Sequence, residues 1–378
     1  MSAAAAGFVW DPRLASHVYR SDHPLKPWRL QGVHDTLERL GAFALPNARL
    51  LEPRLATRAE LGRIHDPAYI DAIAQASEDP ELDYSEWGLS AYGDTPPFAG
   101  MHEASLLTTG ASLTAMEDVI AGRSRVAFNG AGGLHHAMRR NASGFCIYND
   151  PAVVCGLLAD RGMKVAYVDI DAHHGDGVQF AFYTDPRVLT ISSHERGDRL
   201  FPGTGFVEEM GEGAGLGYSV NLPLQPYTDD AVYEPAFEAV VPPLLRAFEP
   251  DVVVLQLGID SHRTDPLTHL AWTVQGFTKI VTRLLELSPR VVALGGGGYD
   301  LPNVARAWTA AWAAMNGVEL PAEIPRASQK DLSAHGLKSM RLWDPPLELP
   351  ADTRQWAEDY AMRQVKAIRE HIFPLHGL

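Results

Sequence analysis

Residues 165–183 read VAYVDIDAHHGDGVQFAFY, an apolar run that passes within a few positions into carboxylates and imidazoles. Val165 to Ile170 is β-branched and aromatic enough for a buried strand, and Gly175 and Gly177 interrupt the pattern where the polar residues arrive. Side chains two apart on a strand share a face, so Asp169, Asp171 and His173 project together if the strand persists that far. Asp171, His173, His174 and Asp176 fall within six positions, and burying so many ionisable groups is costly without a cation or mutual pairing. The stretch therefore predicts a metal site with two ligands and a supporting carboxylate.

The same pattern returns at 251–272, DVVVLQLGIDSHRTDPLTHLAW, where an apolar strand runs into Asp260 and Asp265. Acids at the ends of two parallel strands converge on one edge of the sheet, the edge where open α/β folds bind ligands. Upstream, a short strand at Val126–Phe128 is followed by Gly130, Gly132, Gly133 and the adjacent pair His135 and His136. Consecutive histidines on a turn diverge, so each needs its own partner, and Asp169 and Asp176 are the available carboxylates. A carboxylate on one ring nitrogen fixes the tautomer and raises the basicity of the other, which makes a usable proton carrier. Residues 295–299, GGGGY, combine four glycines of no packing value with Tyr299, so something must approach that backbone closely.

The remaining pattern frames these clusters. A helix from Trp28 to about Leu40 carries Arg29 and His34, for which spacing alone implies surface or capping roles. Residues 57–77 resemble two short helices split at His65, Asp66 and Pro67. Residues 87–105 read as a long surface loop whose one interior acid, Asp94, is explained by an exposed turn as readily as by substrate contact. Ser105–Ile120 is an Ala-rich helix, and Asn149 or Asp150 caps the helix that Pro151 begins. Strands follow at 187–195, 218–224 and 290–294, and helices at Tyr233–Phe248 and Phe277–Leu287. Phe201 sits in a Gly/Pro loop, residues 319–350 are Pro-rich and irregular, and Thr353–Ile372 reads as one surface helix.

The chain has 378 residues, of which 46% are hydrophobic and 21% charged, enough for a large core in a single domain with no evident linker or repeat. A formal net charge of -15 argues against a surface built to hold nucleic-acid phosphates and suits cationic substrates. Two cysteines outside any CxxC pair indicate no disulfide framework. The start, MSAAAAGFVW, lacks a basic n-region and a long apolar core, and no stretch reaches the ~20 apolar residues of a membrane span, so a soluble cytoplasmic protein is expected.

Taken together, GGLHHA at 132–137, SGFC at 143–146, DIDAHHGDGV at 169–178, FPGTG at 201–205, GIDSHRTDP at 258–266 and GGGGY at 295–299 resemble the histone deacetylase superfamily, most closely its bacterial acetoin-utilisation branch, which is similar to the class I enzymes. The resemblance spans about residues 15–318, with 319–378 as a C-terminal extension. It implies a three-layer α/β/α domain around a mostly parallel sheet, the arginase/deacetylase-like fold, and a zinc-dependent hydrolase (iron is the alternative metal) that removes acetyl groups from lysine side chains. Carried over position by position, the metal ligands are Asp171, His173 and Asp265. His136, backed by Asp176, is general base and then acid; His135, backed by Asp169, assists electrostatically; Tyr299 donates to the developing oxyanion. Gly144, Phe145 and Phe201 wall a tunnel for the acyl-lysine stem, Asp94 holds the substrate backbone at its mouth, and Arg29 lies in an internal channel. Potassium or sodium would bind at one site through Asp169, Asp171, His173, Ser192 and Ser193, and at another through Phe182, Asp185, Val188 and Tyr218.

The resemblance leaves the substrate as acetylated proteins or peptides, including acyl-CoA synthetases, or acetylated polyamines. Polyamine-selective relatives carry an acid at the tunnel rim, and the corresponding position here is read as Trp272, which favours acyl-lysine. Two rivals are weighed. A two-manganese ureohydrolase needs another acid where Gly175 stands. A catalytically silent binder would lack His135, His136 or Tyr299, all of which are present.

Overall fold

The computed structural model describes residues 5–16, 18–337 and 339–378. Its centre is an eight-stranded sheet in the order β2-β1-β3-β8-β7-β4-β5-β6, parallel throughout. The strands are β1 (Ala6–Val9), β2 (Ala48–Leu51), β3 (Val126–Asn129), β4 (Val165–Asp169), β5 (Val188–Glu195), β6 (Ser219–Leu224), β7 (Val252–Gln256) and β8 (Val291–Leu294). Among the described residues eleven α-helices connect or flank them: α1 (Trp28–Arg39), α2 (Arg58–Leu61), α3 (Pro67–Glu78), α4 (Met101–Ile120), α5 (Asp150–Asp160), α6 (Asp176–Ala181), α7 (Asp230–Phe248), α8 (Val274–Leu287), α9 (Leu301–Asn316), α10 (Arg326–Ser333) and α11 (Ala351–His371).

The helices fall into two groups. α2, α3, α4 and α5 pack with one another, and α4 and α5 contact the sheet; α1, α9, α8, α7 and α11 form the second succession. Central strands covered on both faces read as near-continuous apolar runs rather than alternating ones, and VVVLQ and VVAL, wholly buried, do so up to Gln256. Asp169 pairs with Gln256 in the β4–β7 register, and Asn129 with Leu294 between β3 and β8. Four neighbouring strands, β3, β8, β7 and β4, thus end together, and the loops that leave them carry His135/His136, Tyr299, Asp260 and Asp171/His173.

The elements around that edge match the sequence reading closely, with Asn149 as the side-chain cap of α5 through Ala152 N at 2.9 Å. Four short elements are additions: β1, β2, α6 and α10. The C-terminal helix also does more than cover surface. α11 buries Ala357, Ala361, Val365 and Ile368 and packs on α7 and β6, closing one edge of the sheet. Among the described residues no helix is long and apolar enough to cross a membrane.

Candidate active site

β4 delivers Asp171 and His173 just beyond its last residue, and the loop after β7 delivers Asp260. His173 Nδ1 lies 3.2 Å from Asp171 Oδ1 and 2.8 Å from Asp260 Oδ2. The three side chains are buried, and their ligand atoms lie within 4.8 Å of one another. Ligands about 2.0–2.2 Å from one tetrahedral ion stand roughly 3.3–3.6 Å apart, so this set needs little adjustment to hold a divalent cation. The charges point the same way. Burial and the neighbouring Asp171 push the Asp260 carboxyl up to about 6. At His173, burial works against protonation, but Asp260 and Asp171 outweigh it and hold the ring well above its ordinary value. Two carboxylates and one imidazole enclosed together call for positive charge, which a bound dication supplies.

The donors are held rigidly from behind. Asp171 Oδ2 accepts Gln256 Nε2 at 2.8 Å and Gly297 N at 2.7 Å, while Asp260 Oδ1 accepts Ala172 N at 2.8 Å. The close approach implied by the glycine run is thereby identified: a Cβ on Gly297 would overlap the Asp260 carboxylate, and one on Gly295 the Gly130 carbonyl. Gln256 is a functional residue that pattern reading misses, since an amide within VVVLQ carries no periodicity signal.

Asp265, expected as the third ligand, is not in this cluster. Its Oδ1 accepts Leu267 N at 3.0 Å and its Oδ2 accepts Tyr299 N at 2.7 Å, so both oxygens serve the backbone. Asp260, the first acid after β7, stands with Asp171 and His173 in its place, and Asp265 instead holds the segment bearing Tyr299. Trp272 is likewise corrected as a rim residue: it is 1% exposed, and its ring stacks on Tyr233 with centroids 4.0 Å apart.

The histidine pair faces the cluster. His135 Nδ1 donates to Asp169 Oδ2 at 2.7 Å, His136 Nδ1 donates to Asp176 Oδ1 at 2.7 Å, and the two Nε2 atoms stand 3.0 Å apart. Tyr167 Oη also donates to Asp169, at 2.6 Å. With both Nδ1 positions committed as donors, the Nε2–Nε2 contact holds one proton between the rings. Burial lowers His135, but Asp169 and Asp171 more than compensate and raise it to about 9. Burial and the charge on His135 push His136 down to about 4. One ring is therefore cationic and the other neutral near pH 7. His174, counted with the metal residues in the sequence, turns away to Thr204 Oγ1 (2.8 Å) and Gln179 Oε1 (3.1 Å).

A cavity joins these groups, lined by His135, His136, Asp171, His173, Phe145 and Tyr299. Phe145 and Tyr299 meet edge to face at 5.7 Å, and Phe201, 43% exposed, packs on His136 at 5.0 Å. Burial first, then Asp260 and Asp171, hold the Tyr299 phenol well above its usual value, so it remains a donor. Phe145 has φ 68°, held there by Thr95 Oγ1 on its N–H (3.1 Å) and by Tyr19 Oη on its carbonyl (2.7 Å). Asp94 Oδ2 accepts Gly144 N at 2.9 Å, fixing this exposed acid beside the aromatic wall. Arg29 is buried rather than superficial. Its Nη1 donates to Gly296 O (2.7 Å) and Gly298 O (3.2 Å), and it lines both this cavity and an adjoining one. Of the two monovalent sets, Asp169 and Ser192 pair in register, while Phe182, Asp185 and Tyr218 carbonyls accept Asp185, Val188 and Thr190 N–H groups.

A parallel α/β sheet that gathers a buried Asp/His/Asp cluster and a carboxylate-backed histidine pair at one edge defines a protein equipped for metal-assisted chemistry. Comparison with known proteins specifies it: residues 23–315 match the histone deacetylase domain, and the chain belongs to that family. It is 42% identical over 327 residues to the acetoin utilization protein AcuC of Bacillus subtilis, covering 84% of each chain. It is 37% identical over 327 residues to type-1 histone deacetylase 1 of Dictyostelium discoideum, covering 86% of this chain and 66% of that one. A crystal structure of an HDAC homologue complexed with SAHA superposes with a TM-score of 0.87 at 31% identity, over 96% of this chain and 100% of the other.

Proposed function

We propose that this chain is a metal-dependent amidohydrolase that removes acetyl or related acyl groups from the side-chain amine of lysine in proteins or peptides. The observation that carries the reading is the convergence of Asp171, His173 and Asp260 at the wall of a cavity that Asp171 and His173 line together with His135, His136 and Tyr299. A zinc or iron ion held by those three residues would supply Lewis acidity toward the acyl carbonyl and the attacking water. His136, neutral and fixed by Asp176, accepts the proton of the water at Nε2 once substrate and water open the 3.0 Å contact with His135 Nε2, and returns it to the leaving amine. His135 keeps a positive charge beside the reacting atoms, and the Tyr299 hydroxyl donates to the acyl oxygen as negative charge grows there. Phe145 and Phe201 enclose an unbranched methylene stem, and Asp94 offers its carboxylate to the substrate backbone. Potassium or sodium at the two sets of residues named above would brace the end of β4 and the α6–β5 turn.

The relatives described as histone deacetylases and as acetoin utilization proteins support amide hydrolysis and leave the natural acyl carrier to experiment. With Trp272 in the core, the rim argument against acetylated polyamines falls away; the aromatic walls suit the methylene stem of either, and the relative described as a histone deacetylase is what favours lysine. The ureohydrolase reading is disfavoured because a side chain on Gly175 would run into the Asp169 carboxylate. A fluorogenic acetyl-lysine peptide, assayed beside an acetylated polyamine with and without chelator, tests the proposal. Chelator-sensitive turnover of the peptide at the higher kcat/KM supports it, whereas turnover of the polyamine alone, or of neither by metal-loaded protein, overturns it.

A further inference from the structure

The loop between β7 and α8 carries both Asp260 and Asp265, yet it has no regular structure of its own. It is pinned from a part of the chain that lies beyond the family match, which ends at residue 315. Asp344 reaches in from the irregular C-terminal segment with its side chain only 5% exposed. Its Oδ2 accepts His262 Nε2 at 2.9 Å and Val274 N at 2.8 Å, and its Oδ1 accepts Arg306 Nη2 at 2.7 Å.

His262 passes this anchorage on. Its carbonyl accepts Asp265 N at 2.8 Å, and the Asp265 carboxylate accepts Tyr299 N at 2.7 Å. On the far side of Tyr299, Asp300 Oδ2 accepts Thr264 Oγ1 at 2.5 Å and Asn303 Nδ2 at 2.8 Å. Tyr299 is thus gripped from both flanks by one loop, and that loop is keyed to Asp344. A residue with a purely local structural role would show no such directed connection to the phenol-bearing backbone.

We propose that Asp344, acting through His262, is a positioning residue that sets the Tyr299 hydroxyl over the reacting carbonyl; the proposal rests on the amidohydrolase reading. Neither residue touches substrate. Asp344→Asn keeps the shape of the side chain but weakens its hold on three donors, and a displaced catalytic group loses rate steeply with distance.

The test is a double-mutant cycle on the full chain with acetyl-lysine peptide. Asp344→Asn is expected to lower kcat about tenfold with KM within about twofold and metal content unchanged, and to lower it by less than about twofold in a Tyr299→Phe background. General loosening of the fold would act equally in both backgrounds, so equal factors, or an unchanged kcat in the single variant, overturn the proposal. Should Asp344→Asn fail to accumulate, Gln275→Ala serves instead. Gln275 is exposed and brackets Asp344 through its N–H at 3.0 Å and its carbonyl at 3.2 Å. That variant should show a loss of about threefold, again absent without the Tyr299 hydroxyl. A wild-type protein inactive on every acylated amine sinks the amidohydrolase reading and this inference with it; an active one with additive losses sinks only the role of Asp344.

Discussion

Acid should loosen the support of the histidine pair through a residue that touches no substrate, His65. Its ring is fully buried between α2 and α3, with Nδ1 donating to Met138 O at 3.1 Å and Nε2 accepting Asn149 N at 3.0 Å. Asn149 in turn donates from Nδ2 to the carbonyls of His135 (3.1 Å) and Ala137 (2.9 Å). Protonating Nε2 would set a donor against a donor at Asn149, and burial pushes the His65 pKa down to about 4. A free histidine titrates near 6.5. Because the folded value is depressed, the unfolded chain takes up the proton first. The stability contributed is full above about pH 6.5, erodes below it, and is gone once pH has fallen through about 4. The span of about 2.5 units corresponds to roughly 3.4 kcal/mol, of which about 2 kcal/mol is lost between pH 7.5 and 5.0. Other buried histidines, such as His174, held near 3, add to the same slope, so the contribution must be isolated by difference. His65→Gln retains a donor and an acceptor but cannot titrate. Urea unfolding of both proteins at the two pH values should show the wild type losing about 2 kcal/mol more than the variant. A stability difference between the two proteins that stays constant with pH would refute the argument.

Three further outcomes follow from the site. Asp260→Asn should purify with metal affinity reduced at least ~100-fold, while Asp265→Asn keeps its metal; metal analysis after gel filtration distinguishes them, and the reverse pattern would reinstate Asp265 as ligand. Tyr299→Phe should lower kcat by ~10²-fold or more with little change in KM, and a loss under about threefold would exclude the oxyanion role. Gly297→Ala forces a methyl group against the Asp260 carboxylate and should destabilise by about 1–3 kcal/mol while weakening metal binding, read by thermal unfolding with and without added zinc; an unchanged midpoint and full loading would show that the backbone yields there.

Several features were legible because they depend on short-range chemistry. A parallel strand covered on both faces is a near-continuous apolar run, so the VAYV of β4 and the VVVL of β7 declare themselves, and the polar residues that close each strand and follow it lie at the carboxyl edge. Four glycines in a row imply close backbone approach whatever the fold. β1 and β2 are no shorter than β3 and β8, but β2 (ARLL) is an edge strand with no buried residue, and the Ala and Gly of β1 (AGFV) have little strand propensity. The choice between Asp260 and Asp265 is of another kind. Both follow the same strand, both are acids in a polar turn, and nothing in their local pattern ranks one above the other. What separates them is the path of the loop, which is fixed by Asp344 on His262 and by the pairing of His262 with Trp272. That pairing also draws Trp272 into the core against Tyr233 of α7, where it cannot form a rim. One long-range anchorage therefore accounts for both discrepancies, and the same contacts that the sequence hides are those through which the C-terminal segment acts on Tyr299.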